Sequence, residues 1–191
     1  KSEIDKLAKQ IRLKIGNHKY IRGLYSGGTL CDEALFIFNQ SGIEVYSNIP
    51  LTPNLKLKNA NESYKHTLVD LGDDEFTKGR PHPMIDYTLR CGRIIEEAAK
   101  SDTGVILLDI VTGYGSHPNP AEPLEDAIIQ ANAKNKNIAF IASICGTKWD
   151  SQNTELIKKR LEQQGVIFMP TNAQAARLAA LAVSEQFYIL L

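Results

Sequence analysis

Charge of one sign is not in excess in this chain: 22 Lys and Arg residues meet 22 Asp and Glu residues, and the formal net charge is zero. A general nucleic-acid binder carries a basic surplus gathered on one face, so that class is set aside. Cysteine is scarce, with Cys31, Cys91 and Cys145 far apart and no CxxC spacing. Three widely spaced thiols make neither a disulfide framework nor a metal-ligand pattern, and they point to a reducing cytoplasm. No apolar run reaches the roughly 18 residues a membrane span needs. The opening stretch KSEIDKLAKQIRLKIG has no apolar core of the signal-peptide kind. It starts at Lys1 and not at Met, which reads as a piece of a longer polypeptide.

What is present is the composition of a packed domain: 191 residues, 43% apolar and 23% charged. A chain of this length buries roughly 70% of its unfolded surface, so one core suffices without staples. Residues 2–15 place Ile4, Leu7, Ala8, Ile11 and Ile15 at helical spacing, an amphipathic lead-in ended by Gly16 and Asn17. Short apolar runs then alternate with helical stretches. Strands are expected at 20–25, 67–71, 104–111, 138–144 and 166–169, with a short β-like run at 43–46. Helices are expected at 30–39, from Asp86 to about Lys100, at 122–134, 154–164 and 172–184. Residues 48–66, rich in Asn, Pro and Lys, read as an irregular excursion. Near-continuous apolar strands alternating with helices predict an α/β fold. About five parallel strands in flavodoxin-like order carry helices on both faces.

In open parallel sheets, ligands bind beyond the carboxyl ends of the strands. Four loops fall there: SGGT at 26–29, GDDEFTKGRPHP at 72–83, TGYGSHPNP at 112–120 and CGTKWDSQN at 145–153. In the first, Gly27 and Gly28 bring backbone amides close to a guest, while Ser26 and Thr29 add hydroxyls. The positive end of the following helix favours an anion. The plainer use of the same residues is a tight turn with Thr29 as helix cap. No Gly-Lys-Ser/Thr follows, so this is not a P-loop. In the second loop, Pro81 and Pro83 stiffen the chain around Arg80 and His82. Arg80 is suited to clamp a carboxylate or phosphate; His82 is a nucleophile, general acid or charge-assisted donor. Their other use is a surface loop in which Arg80 pairs with the preceding acidic run. Asp73, Asp74 and Glu75 are the only metal-like group, and solvated surface is the reading adopted, so no metal is expected. Ser116, His117, Thr147 and Lys148 are further candidates on the later loops, with Trp149 covering the sheet edge. Cys31 lies near a helix start, where packing competes with nucleophilic use. His18 and His66 read as surface.

YSGGTLCDEA, VILLDIVTGYG and NIAFIASICGT together resemble the α subunits of succinyl-CoA synthetases. The combination with LGDDEFTKGRPHPMID is closer to FdrA-type proteins, which are acyl-CoA-synthetase-like chains. The resemblance covers about residues 20–183. It implies residues 1–18 as a lead-in helix or linker and 19–191 as one CoA-ligase-like domain of flavodoxin type. CoA would be met only through a preceding CoA-binding domain or another subunit, in an oligomer. It also implies Ser26, Gly27, Gly28 and Thr29 as the phosphate-facing helix start, and Gly113 and Gly115 as the Gly-rich loop. One departure stands out. Where the synthetases carry a phosphorylated His in Gly-His-Ala-Gly, this chain has Cys145-Gly146-Thr147-Lys148-Trp149-Asp150.

FdrA-type proteins are also linked with carbamoyl transfer to oxamate, which needs no phosphohistidine. The expected activity is therefore acyl- or carbamoyl-phosphate chemistry on a small carboxylate, with no covalently bound cofactor. The alternatives are acid–thiol ligation and a non-catalytic scaffold subunit.

Overall fold

The computed structural model describes residues 3–184. Its elements in chain order are α1 (Glu3–Ile15), β1 (Tyr20–Tyr25), α2 (Gly28–Gln40), β2 (Thr67–Asp70), α3 (Asp74–Thr77) and α4 (Thr88–Ala98). There follow β3 (Thr103–Val111), α5 (Ala121–Lys134), β4 (Ala139–Cys145), α6 (Thr154–Gln163), β5 (Val166–Phe168) and α7 (Asn172–Val183). All strands run parallel in the order β2-β1-β3-β4-β5. This is the five-stranded α/β architecture that the alternating pattern predicts. The expected helix at 172–184 ends at Val183, and residue 2 and residues 185–191 lie outside the described part.

The strands alternate faces, as a period of two requires. Ile21, Tyr25, Val105, Leu107, Ala139 and Ile141 pack with Ala8, Ile11, Ile15, Ala34, Phe38 and Leu178, which places α1, α2 and α7 on one side. Leu24, Ile106, Leu108, Phe140 and Ala142 pack with Ile94, Leu124, Ile128, Ile157 and Leu161, which places α4, α5 and α6 on the other. Every residue of β3 except the last is buried, so the strand is covered on both faces. Gly23 is required where a Cβ would stand 2.5 Å from the Leu68 side chain.

Three local expectations change. The lead-in helix is part of the core: Ala8, Ile11 and Ile15 are buried, and Arg12 Nη2 donates to the Leu181 carbonyl at 2.7 Å. Residues 43–46 form no strand; only Tyr46 bridges to Thr67. The excursion that follows is pinned down, because Ser47 exchanges backbone hydrogen bonds with Leu55 and Leu57, and Leu57 and Ala60 are buried. Asn48 acts as a piece of missing strand. Its side chain donates to the Asp70 carbonyl and accepts the Asp70 amide, both at 3.0 Å.

His66 is likewise not a surface residue. It stacks edge-on against Tyr20, its Nδ1 accepts the Ile21 amide at 3.3 Å, and burial lowers its pKa to about 4. Nearby, Arg22 and Glu97 form a buried ion pair at 2.9 Å, extended by Arg93, Lys100 and Ser63. This network ties α4 and the excursion to the middle of β1.

Candidate functional site at the strand ends

The chain turns one way from β1 to β2 and the other way from β3 onward, so the crevice between β1 and β3 is the switch point. Its floor is an ion pair that the sequence reading did not single out. Arg90 and Asp109 are both fully buried and lie 2.7 Å apart. Arg90 Nε donates to the Leu24 carbonyl at 3.0 Å, and Nη2 also donates to the Asp109 carbonyl. A buried charge persists only when paired and hydrogen-bonded, and here α4 supplies the partner for β3.

Asp109 also takes up Ser26. The Ser26 amide donates to Oδ1 at 2.9 Å and its hydroxyl to Oδ2 at 2.6 Å. Expected to offer its hydroxyl to an anion, Ser26 instead points into the floor, because Asp109 has lone pairs to satisfy there. Gly27 is the N-cap residue of α2, and no side chain caps the first turn. Thr29 is exposed in that turn and does not act as the cap. The amides at the start of a helix have no partner within it. A Cβ built on Gly27 meets nothing within 4 Å, so the space beside that residue is open.

Two groups from the neighbouring strand and loop lean over this turn. Asp70, at the end of β2, is only 7% exposed, and its Oδ2 lies 3.1 Å from where a Gly28 Cβ would stand. Its Oδ1 accepts the Gly72 amide at 2.8 Å. Burial raises the Asp70 pKa, Asp73 and Asp109 raise it further, and the Gly72 hydrogen bond and His82 work against the rise. His82 comes from the proline-flanked segment. Its Nε2, the Ser26 carbonyl oxygen and Asp70 Oδ1 lie 2.7, 2.8 and 3.1 Å from the point a Gly72 Cβ would occupy. Gly72 therefore carries no side chain so that three polar groups can meet. His82 Nδ1 accepts the Met84 amide at 3.2 Å, which leaves the hydrogen of the neutral ring on Nε2, facing the meeting point.

Arg80 does not join His82. It is exposed and lines a separate cleft of about 540 Å³ with Asn61, Phe76, Pro81, Pro83 and Leu89. The acidic run before it is used locally: Asp73 caps α3 by accepting the Glu75 amide at 2.9 Å. Among the described residues, no three His, Cys, Asp or Glu side chains cluster in a way that would hold a metal ion.

The two later loops are locked to each other and not aimed at the crevice. Asp150 accepts the Thr112 hydroxyl at 2.6 Å and the Thr147 amide and hydroxyl at 2.8 Å each. Gln152 donates to the Gly113 carbonyl at 2.9 Å and to Ser116 at 3.0 Å. Thr147 and Ser116 are thus spent on the scaffold. Gly113 and Gly115 have φ of 112° and 84°, a conformation that glycine adopts without strain. Gly146 is obligatory, since a Cβ there would fall 1.8 Å from the Thr112 hydroxyl. His117 turns aside, edge-on to Tyr87 at 5.2 Å, and its amide donates to the Met84 carbonyl, joining this loop to the one carrying His82. Lys148 sits over the Trp149 ring at 4.8 Å, and Trp149, expected over the sheet edge, is 84% exposed. Cys31 is fully buried, and burial pushes its thiol pKa well up, which disfavours the thiolate that a nucleophile needs.

The site the structure assembles is thus Gly27–Thr29, Asp70, Gly72 and His82 over an Arg90–Asp109–Ser26 floor. The carboxylates were readable in principle: Asp70 and Asp109 each interrupt an apolar strand, and a charge there demands a partner.

Comparison with known proteins agrees with this frame. The chain is 43% identical over 165 residues to the uncharacterized protein YahF of Escherichia coli K12, covering 84% of this chain and 32% of that protein. It therefore spans about a third of the length of this curated relative. The crystal structure of PH0766 from Pyrococcus horikoshii OT3 aligns over 95% of this chain and 39% of its own, with a TM-score of 0.52 and 13% identity, a likeness of fold alone. The model of the CoA-ligase family matches residues 24–182, from the end of β1 into α7, and the chain belongs to that family.

Proposed function

We propose that this chain is the acyl-phosphate-handling domain of an acid–thiol-ligase-like enzyme, FdrA-type in character, completed by other domains or subunits. The phosphoryl group sits on the uncapped amides of Gly27, Gly28 and Thr29. His82 Nε2 donates to it or to the oxygen that gains charge as the acyl group is transferred. The observation that carries this reading is that His82, Asp70 and the Ser26 carbonyl converge at Gly72, with the other oxygen of Asp70 beside Gly28. The preorganised floor supports it, since Arg90 and Asp109 fix the Ser26 turn without solvent.

Within this reading, carbamoyl phosphate is favoured as the acyl donor. The loop after β4 holds no His, and its Thr147 and Asp150 are engaged with each other, so a phosphohistidine relay there has no residue to use. The acceptor is then a small carboxylate of the oxamate type. Membership in the CoA-ligase family supports thioester formation as the second reading.

The test is calorimetric titration of the chain with inorganic phosphate, acetyl phosphate and carbamoyl phosphate. Saturable binding is expected, weakened by about tenfold in His82→Asn, the loss of one hydrogen bond to a charged group. Absence of binding by all three ligands would overturn the reading. In the full-length protein, carbamoyl transfer to oxamate supports the first acyl donor, and CoA-dependent ATP turnover supports the second.

A further inference from the structure

Glycine is a poor residue for the middle of a helix, because it has more backbone freedom to lose and no side chain to pack. Gly92 nevertheless sits inside α4, well away from both of its ends. Neither usual reason for a glycine applies there. Its φ is not positive, and a Cβ built on it meets nothing within 4 Å. Gly92 instead borders the cleft of about 540 Å³ that Arg80 also lines. A larger residue would reach into that open space, so the glycine keeps the cleft clear while weakening the helix that carries it.

The cleft has the make-up of a small-ligand site. Its volume lies within the roughly 300–1,000 Å³ usual for such sites. Leu71, Phe76, Pro83 and Leu89 give it an apolar lining. Pro81 and Pro83 stiffen the wall, while His82 between them is turned to Gly72 and the crevice. Arg80 stands at this wall with its side chain exposed and with no hydrogen bond or ion pair among the described residues. An unpaired guanidinium beside apolar surface suits a carboxylate, which it can take in two parallel hydrogen bonds. Two carboxylates also border the cleft. They are Asp86, whose Oδ1 accepts the Thr88 amide at 2.8 Å, and Glu96, about one turn beyond Gly92. Both oppose a second negative charge on the guest.

We propose that the cleft beside α4 is a binding site of its own, for a monoanion made of one carboxylate and an apolar body the size of an aromatic ring. The carboxylate pairs with Arg80, and the body lies on Phe76 and Leu89. The space left at Gly92 lets that body approach the helix backbone. The site is independent of the Gly27–Thr29 turn, because the proline-flanked segment presents Pro81 and Pro83 to the cleft and His82 to the crevice.

The probe is anilinonaphthalene sulfonate, an aromatic body with one negative charge, titrated by fluorescence into the wild-type chain, Gly92→Leu and Arg80→Gln. One saturable site is expected in the wild type, displaced by benzoate and about tenfold less readily by the dianion phthalate. Gly92→Leu fills the cleft and is expected to lose the probe while melting at a higher temperature, since leucine is the better helix former. Arg80→Gln is expected to weaken probe and benzoate alike by about tenfold, the loss of a charge-assisted pair. Absence of a saturable site in the wild type, or undiminished probe binding by Gly92→Leu, would overturn the proposal. A lowered melting temperature or failure of Gly92→Leu to fold would overturn it too, since the glycine would then serve packing. Displacement of the probe by inorganic phosphate would place the probe in the crevice, which sinks the cleft site and leaves the phosphate site standing.

Discussion

Asp109 interrupts the most apolar stretch of the chain, and its surroundings explain how a carboxylate persists there: Arg90 neutralises it and Ser26 fills its remaining lone pairs. Single residues elsewhere carry equally definite consequences. His66 accepts the Ile21 amide and is held neutral by burial, with a pKa near 4 where 6.5 is usual. Between those values the unfolded chain binds a proton at His66 and the folded chain does not, so stability falls as pH drops from 6.5 toward 4 and is untouched above. A gap of that size corresponds to roughly 3 kcal/mol. His66→Gln, which keeps an acceptor but does not titrate, is expected to show a flatter urea-midpoint profile than the wild type across that window. An identical profile for the two proteins would refute this account. Little of this residue-scale chemistry was legible beforehand. GRPHP drew attention to Arg80 and His82 together, yet a proline-stiffened loop fixes the direction of each side chain separately, and the two face different clefts. Gly72 and Asn48 left no local mark in the sequence, since their roles come from contacts across the fold.

At the scale of elements, legibility was far better, because periodicity is a local property. The five strands lie where continuous apolar runs predicted them, with no end moved by more than one residue. The short run at 43–46 failed as a strand because only one backbone bridge forms before the chain turns into the excursion. The first helix is the instructive case. Its amphipathic pattern was plain, but a linker and a core layer share that pattern, and only the position of α7 tells them apart. Ile11 is 2% exposed on that face, so Ile11→Ala is expected to cost about 2–5 kcal/mol in chemical denaturation. A cost under about 0.5 kcal/mol would return α1 to the status of an appendage.

For the molecule as a whole, the two buried ion-pair networks sit at different heights along β1, and only one of them lies under the candidate site. The Arg22–Glu97 network holds the middle of β1, about 13 Å along the strand from the Ser26 turn, and the Arg90–Asp109 pair holds its carboxyl end. Arg22→Ala strands part of a buried carboxylate's complement and is expected to lower stability by about 3 kcal/mol while leaving phosphate affinity unchanged. A parallel loss of affinity, measured by titration on the folded variant, would show that the two ends are coupled. The zero net charge leaves no single-sign field over the surface as a whole.

The clasp that Asn48 and Tyr46 place on β2 also bears on how this sheet meets its surroundings. The Tyr46 amide and carbonyl engage His66 and Leu68, and Asn48 engages both backbone groups of Asp70. Those are the groups that an outermost strand would otherwise present to a stranger. With them occupied, the sheet ends at β2 by design: a second chain cannot extend it there, and aggregation through that margin is closed off.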